Sequence, residues 1–120
     1  MSRRTERVGE LFREELSDIL LREVHDPRLS PLISFTRVWV SPDLSLARVY
    51  FSVLGSDEDR KQTLAALTAA SGYLRRLLSQ RVKNIRRMPD LSFHIDESME
   101  QAAHIMDLLT DISHEHPQES

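Results

Sequence analysis

Residues 64–78 read LAALTAASGYLRRLL, a helical pattern that meets a glycine and then resumes. Before the break, Leu64, Leu67 and Thr68 recur at helical steps among alanines. After it, Tyr73, Leu74, Leu77, Leu78, Val82 and Ile85 continue the spacing. A glycine inside a helix costs about 1 kcal/mol relative to alanine, so Gly72 marks a kink or a close backbone approach. Two helices hinged at Ala70, Ser71 and Gly72 are therefore expected. Ser56 or Asp57 caps the first, whose opening turn holds Asp57, Glu58 and Asp59, the acids a helix N-terminus favours. Pro89 ends the second.

Upstream of the pair, residues 33–40 and 46–54 are β-branched and aromatic, joined by Ser41-Pro42-Asp43-Leu44-Ser45, which predicts a hairpin. Ala47, Val49, Phe51 and Val53 fall on one side of the second strand, the core side, with Arg48, Tyr50 and Ser52 on the other. Downstream, Leu91, Phe93 and Ile95 alternate with Ser92, His94 and Asp96 in a third strand. Two helices between strands two and three form a crossover, and crossovers make parallel neighbours. At the front, Val8, Leu11, Phe12, Leu16, Ile19, Leu20 and Val24 predict an amphipathic helix from about Arg4 to Val24, ended by His25-Asp26-Pro27-Arg28. Residues 98–112 carry Ala102, Ile105, Leu109 and Ile112 at helical spacing, which gives either a final helix or a frayed segment. Residues 114–120 are expected to be disordered.

The resulting order is helix, strand, strand, helix, kink, helix, strand. It is a single α+β domain of the KH type, in its type II arrangement, with a three-stranded sheet. The domain is expected over residues 1–112 and a flexible tail over 113–120. KH modules bind single-stranded nucleic acid beside a GxxG loop. This chain has Ala70-Ser71-Gly72 at that place instead.

A chain of 120 residues with 40% hydrophobic and 29% charged side chains suits one globular domain that needs no metal or disulfide to fold. The absence of cysteine excludes thiol catalysis, zinc knuckles and disulfides, and is compatible with a reducing cytoplasm. Three glycines leave no room for a P-loop or GxGxxG turn. No apolar run approaches a membrane span, and no secretory segment follows the charged N-terminus, so a cytoplasmic protein is expected. The five histidines, at 25, 94, 104, 114 and 116, lack ligand spacing for a metal, and no nucleophile motif is present. No metal, cofactor, catalytic residue or small-molecule substrate is expected.

The net charge of −3 argues against nucleic acid only until it is divided. Residues 1–60 carry nine basic and eleven acidic side chains, residues 61–95 seven and one, and residues 96–120 none and seven. A basic block thus adjoins an acidic one. Continuing the second helix past Leu74 puts Leu74, Leu77, Leu78, Val82 and Ile85 on one side, with Arg76, Lys83 and Arg87 nearly opposite and Arg75 and Arg86 at the flank. These five cations are the candidate RNA-binding residues. Four or five phosphate contacts would give a logarithmic salt slope of roughly −3 to −4 on single strands. The plain alternative is a solvated helix face. Arg81 falls within the apolar stripe, so it either runs its stem along the core or pairs with an acid. Arg3, Arg4 and Arg7 either extend the basic surface or are mobile terminal charges, and the second reading is favoured. Arg37, Trp39, Arg48 and Tyr50 either share the sheet face turned away from the helices, where such side chains stack on bases, or leave Trp39 in the core.

Four motifs, in this order and spacing, resemble the ribosome-binding factor A family over residues 7–109. They are Asp26-Pro27-Arg28; Val40-Ser41-Pro42-Asp43-Leu44 leading to Ala47-Arg48-Val49-Tyr50; Ala70-x-Gly72-Tyr73-Leu74-Arg75; and Arg86-Arg87-Met88-Pro89-Asp90-Leu91-x-Phe93-x-x-Asp96-x-Ser98. The resemblance implies a type II KH-like fold with an Ala-x-Gly kink in place of GxxG. It also implies a monomeric, non-enzymatic factor that binds the free 30S ribosomal subunit and 16S rRNA. Such a factor acts in late 30S maturation and 16S rRNA processing and supports growth in the cold. Ala102 and Ala103 depart from the pattern, standing where the family has a glycine. Two other readings stay open: an adaptor that binds a basic protein through the acidic C-terminal segment, and a general single-stranded RNA chaperone.

Overall fold

In the computed structural model, which describes residues 3–24, 33–98 and 105–110, six elements follow one another. They are α1 (Arg3–Glu23), β1 (Ile33–Val40), β2 (Leu46–Val53), α2 (Asp57–Ala69), α3 (Ser71–Arg81) and β3 (Asp90–Ile95). The element order is the one expected, and β2 sits in the centre of a β1-β2-β3 sheet. β1 pairs antiparallel with β2, β2 pairs parallel with β3, and the α2–α3 pair makes the crossover. The predicted stop at residues 25–28, the alanines at 102 and 103, the tail over 113–120 and His25, His104, His114 and His116 lie outside the described residues. Residues 105–110 are helical, with Ile105, Met106, Leu108 and Leu109 exposed.

All three helices lie on one face of the sheet, and the core between the layers is apolar. Phe12, Leu16 and Ile19 of α1, Leu67 of α2, and Leu74 and Leu78 of α3 close over Val40, Ala47, Val49, Phe51 and Phe93. Ala47, Val49, Phe51 and Val53 are all buried, as the alternation of β2 requires. Fully burying side chains of this size stabilises by roughly 1.5–3 kcal/mol each, which lets so small a sheet hold one covered face.

β1 does not keep one alternation. Phe35, Val38 and Val40 all face the core, although the first two are an odd number of residues apart. A β-bulge between Phe35 and Arg37 inserts Thr36 as the extra residue and turns the strand over. Past the bulge, Arg37 and Trp39 point away from the helices. This settles the position of Trp39: it is half-buried on the open face, outside the core.

The glycine that packing requires is Gly9. A methyl group there would collide with the carbonyl oxygen of Val38, so α1 reaches β1 only because residue 9 has no side chain. Around Gly72, by contrast, an added Cβ would meet nothing within 4 Å. The kink itself falls at Ala70, whose φ of −90° and ψ of 2° end α2 and begin α3. Its N–H still bonds to the carbonyls of Ala66 and Leu67, so the break bends the backbone without orphaning it. The start of α2 is the predicted cap: Ser56 accepts from the Asp59 N–H, and the Asp59 carboxylate accepts from the Ser56 N–H.

One expectation is overturned. The helix carrying Leu74 does not run on to Pro89 but ends at Arg81, where Val82 turns extended at φ −111° and ψ 108°. Val82 and Met88 still reach the core, and Ile85 packs against it, from an irregular segment over residues 82–89. The chain must reverse within those residues to start β3 beside Ser45, whose carbonyl accepts from the Asp90 N–H at 3.0 Å. Helical spacing of the apolar residues survived, but the helix did not.

Candidate nucleic-acid interface

The early end of α3 redistributes the five predicted cations. Arg76 alone stays on the exposed side of the helix, its guanidinium 5.2 Å from the centre of the Tyr73 ring. Arg75 is drawn inward: it donates to the carbonyl oxygens of Met88 at 2.7 Å and Pro89 at 3.2 Å, with Asp90 3.6 Å away. It is the clasp that holds the reversing segment, and its donors are used within the fold. Lys83, Arg86 and Arg87 leave the helical stripe altogether and move onto that segment. The single cationic helix face read from the sequence does not exist.

What replaces it is a cleft of about 790 Å³ at one end of the helical layer. Its floor is apolar, made of Val8 and Leu11 of α1, Leu44 of the hairpin turn, and Val82 and Ile85. Its rim carries Arg4, Lys83, Arg86 and Arg87, with Asp43 of the hairpin turn as the carboxylate that also lines it. None of these four is ion-paired to a carboxylate among the described residues, and all four are exposed. Arg4, which the sequence left between a mobile terminal charge and an extension of the basic surface, thus joins residues some eighty positions away. Only tertiary structure could reveal that, since nothing local distinguishes it from Arg3 and Arg7.

Arg81 also borders the cleft, but it is committed to α1. It donates to Asp18 at 2.6 Å and Glu23 at 3.2 Å, with Glu15 at 3.7 Å, which is the acid pairing that its place in the apolar stripe suggested. The Arg81 hydrogen bond, and then that from Arg22, holds the Asp18 carboxyl below its ordinary range. Arg81 is thereby spent on the acids of α1 and is not one of the free cations of the rim.

The turn that lends Leu44 to the floor is tightly built. Asp43 accepts from the hydroxyls of Ser45 and Ser41, each at 2.8 Å, and from the Ser45 N–H at 3.1 Å. Those bonds lower the Asp43 pKa, Ser45 most, so the turn keeps its acceptor charged. They also hold Leu44 at a φ of 62°, a left-handed conformation that leucine seldom adopts. No sequence signal marked Leu44 as a floor residue.

Among the described residues, no group of three or more His, Asp or Glu side chains could hold a metal ion, and no helix is long and apolar enough to cross a membrane. The arrangement suits a polyanion: cations spaced around an apolar floor bind phosphates at the edge and a less polar group within.

Fold and cleft together define a small two-layer α+β domain with helices on one face of a three-stranded sheet and a cation-rich rim at the end of the helical layer. Residues 4–109 match the family model for ribosome-binding factor A. A curated protein of that name from Halothermothrix orenii is 46% identical over 112 residues, covering 93% of this chain and 90% of the relative. The crystal structure of ribosome-binding factor A from Thermus thermophilus superposes with a TM-score of 0.69 at 28% identity, covering 78% of this chain and 97% of that one. A Thermus thermophilus homology model fitted into a cryo-EM map of a 30S complex of this factor matches at a TM-score of 0.61 and 29% identity, over 74% of this chain and 91% of the other. The chain belongs to the ribosome-binding factor A family.

Proposed function

We propose that this protein binds the free 30S ribosomal subunit through 16S rRNA and supports late 30S maturation and 16S rRNA processing, including in the cold. It does so as a non-enzymatic, cytoplasmic monomer. The observation that carries the reading is the cleft rim, where Arg4, Lys83, Arg86 and Arg87 stand unpaired by acids among the described residues in a member of a ribosome-binding family. The relative fitted into a 30S map supports the choice of subunit. The KH-like reading of the layout agrees with a single-stranded RNA ligand, with the Ala70, Ser71 and Gly72 kink in place of GxxG and no Cβ at Gly72 to hinder a backbone arriving from outside.

The mechanism is occupancy. A rigid domain, clasped by Arg75 and Arg81, presents fixed cations to an rRNA segment and holds it in one conformation while the subunit matures. Four phosphates neutralised at the rim give a logarithmic salt slope of roughly −3.

Sedimentation with purified 30S, 50S and 70S particles tests the reading. Co-migration with free 30S is expected, and migration with 70S alone would overturn it. Reversing Lys83, Arg86 and Arg87 to glutamate is expected to weaken 30S binding at least about a hundredfold and flatten the salt slope by roughly 2. Unchanged affinity removes the cleft from the mechanism.

A further inference from the structure

On the open face of the sheet, the strand register lines up two rows of side chains that the core does not need. One row runs Arg37, Tyr50, His94 across the three strands, and the next runs Trp39, Arg48, Ser92. In the first, the Arg37 guanidinium lies 4.4 Å from the Tyr50 ring centre and the His94 ring 5.5 Å from it, tilted by 34°. In the second, the Arg48 guanidinium lies 4.7 Å from the Trp39 ring centre. Ser92 hydroxyl and His94 Nε2 are 2.6 Å apart and tie the rows together along β3. The rows sit two residues apart along each strand, about 7 Å.

Neither Arg37 nor Arg48 forms an ion pair among the described residues. The acid at the edge of the face, Asp96, accepts from the Thr36 hydroxyl at 2.5 Å and the Ser98 N–H at 2.9 Å, and its charge also acts on Arg37, which leaves Arg48 the less opposed of the two arginines. The face is therefore cationic and planar-grouped, with no helix among the described residues covering it. Stability alone does not call for this composition, because the solvent face of a sheet needs only polar side chains.

We propose that this face is a second RNA-binding surface, separate from the cleft, that stacks two consecutive unpaired nucleotides, one on each row. Unpaired bases stack on aromatic rings and on arginine guanidinium planes, and each row offers both. The two arginines meet the phosphates between and beside these nucleotides, which is the charge complementarity that favours a nucleic acid over an apolar protein partner. The proposal rests on the chain having an RNA ligand, but not on the cleft being where that ligand binds first.

The chain carries one tryptophan, and it lies on this face, so its emission reports occupancy directly. Titrating the full chain with a single-stranded RNA decamer of mixed sequence is expected to quench Trp39 emission saturably, while a duplex of equal length does not. Tyr50→Ser and Arg37→Ser should each weaken the single-strand affinity by roughly tenfold, with Tyr50→Phe retaining it. Circular dichroism checks that each variant is folded. Because the Lys83, Arg86 and Arg87 reversal leaves this face intact, its Trp39 quenching by saturating RNA should persist even where 30S co-sedimentation fails. Emission that ignores RNA while 30S binding is intact overturns the proposal. So does a Tyr50→Ser chain that loses 30S binding without any RNA-dependent Trp39 signal, an outcome that assigns the face to ribosomal protein.

Discussion

The two faces of the sheet use arginine in opposite ways. On the covered face, Arg75 and Arg81 are fasteners: one holds the carbonyls of Met88 and Pro89, the other holds Asp18 and Glu23 of α1. On the open face, Arg37 and Arg48 lie over rings and spend no hydrogen bond on a carboxylate among the described residues. The cleft stands at the boundary, where the segment over residues 82–89 is held by fasteners while its own cations point outward. The difference teaches that a run of positive charge in a sequence is not yet a surface. What a guanidinium can offer a ligand depends on which acceptors the fold has already given it.

If this division is right, changes on the covered face move stability and those at the rim move binding. The largest stability loss is expected from Gly9→Val, which forces α1 off the Val38 carbonyl and costs about 3 kcal/mol, read in a thermal or urea melt. Next comes Arg75→Ala, which strips partners from two carbonyls and costs roughly 1–2 kcal/mol. An Arg75→Ala chain that melts like the parent but binds 30S poorly would return Arg75 to the interface and break the comparison.

Arg81→Ala is expected to lower the melting temperature less, since its ion pairs are partly exposed and screened. Its acid partner gives a pH signature. The Asp18 carboxyl is held low chiefly by the Arg81 hydrogen bond, so its contribution is complete above the ordinary carboxylate value of about 3.9 and is lost as pH falls through the lowered folded value. The gap in melting temperature between the parent and Asp18→Asn should therefore narrow between about pH 5 and pH 2.5. A constant gap would show that the pair adds nothing through charge. Smallest of all, replacing Lys83, Arg86 and Arg87 together by alanine should change stability by no more than about 0.5 kcal/mol while lowering 30S affinity.

The layout was legible because it is written in periodicities. Helical spacing in α1 and alternation in β2 each have one reading, and of the two candidate caps Ser56 is the one used. The end of α3 was not legible, for a definite reason. Val82 and Ile85 sit at positions a helix would also bury, and a segment that leaves the helix but stays against the core satisfies the same pattern. Arg81 was half readable: a cation inside an apolar stripe either lays its stem along the core or pairs with an acid, and the structure shows the acids. Gly9 and Arg4 were not, since their roles come from Val38 and from residues 82–87, which only the folded chain brings near. The glycine that drew attention, Gly72, has open space around it.

The extra residue at Thr36 makes the length of β1 count modulo two. Ironing out the bulge with Thr36 kept in the ladder would put Arg37 and Trp39 on the same side as Phe35, or cost Phe35 its place in the core. Deleting Thr36, by contrast, leaves Phe35, Val38 and Val40 on one side of a regular strand and Arg37 and Trp39 on the other. The bulge and the extra residue thus belong together: a chain can keep both faces with the two of them or with neither, but not with one alone.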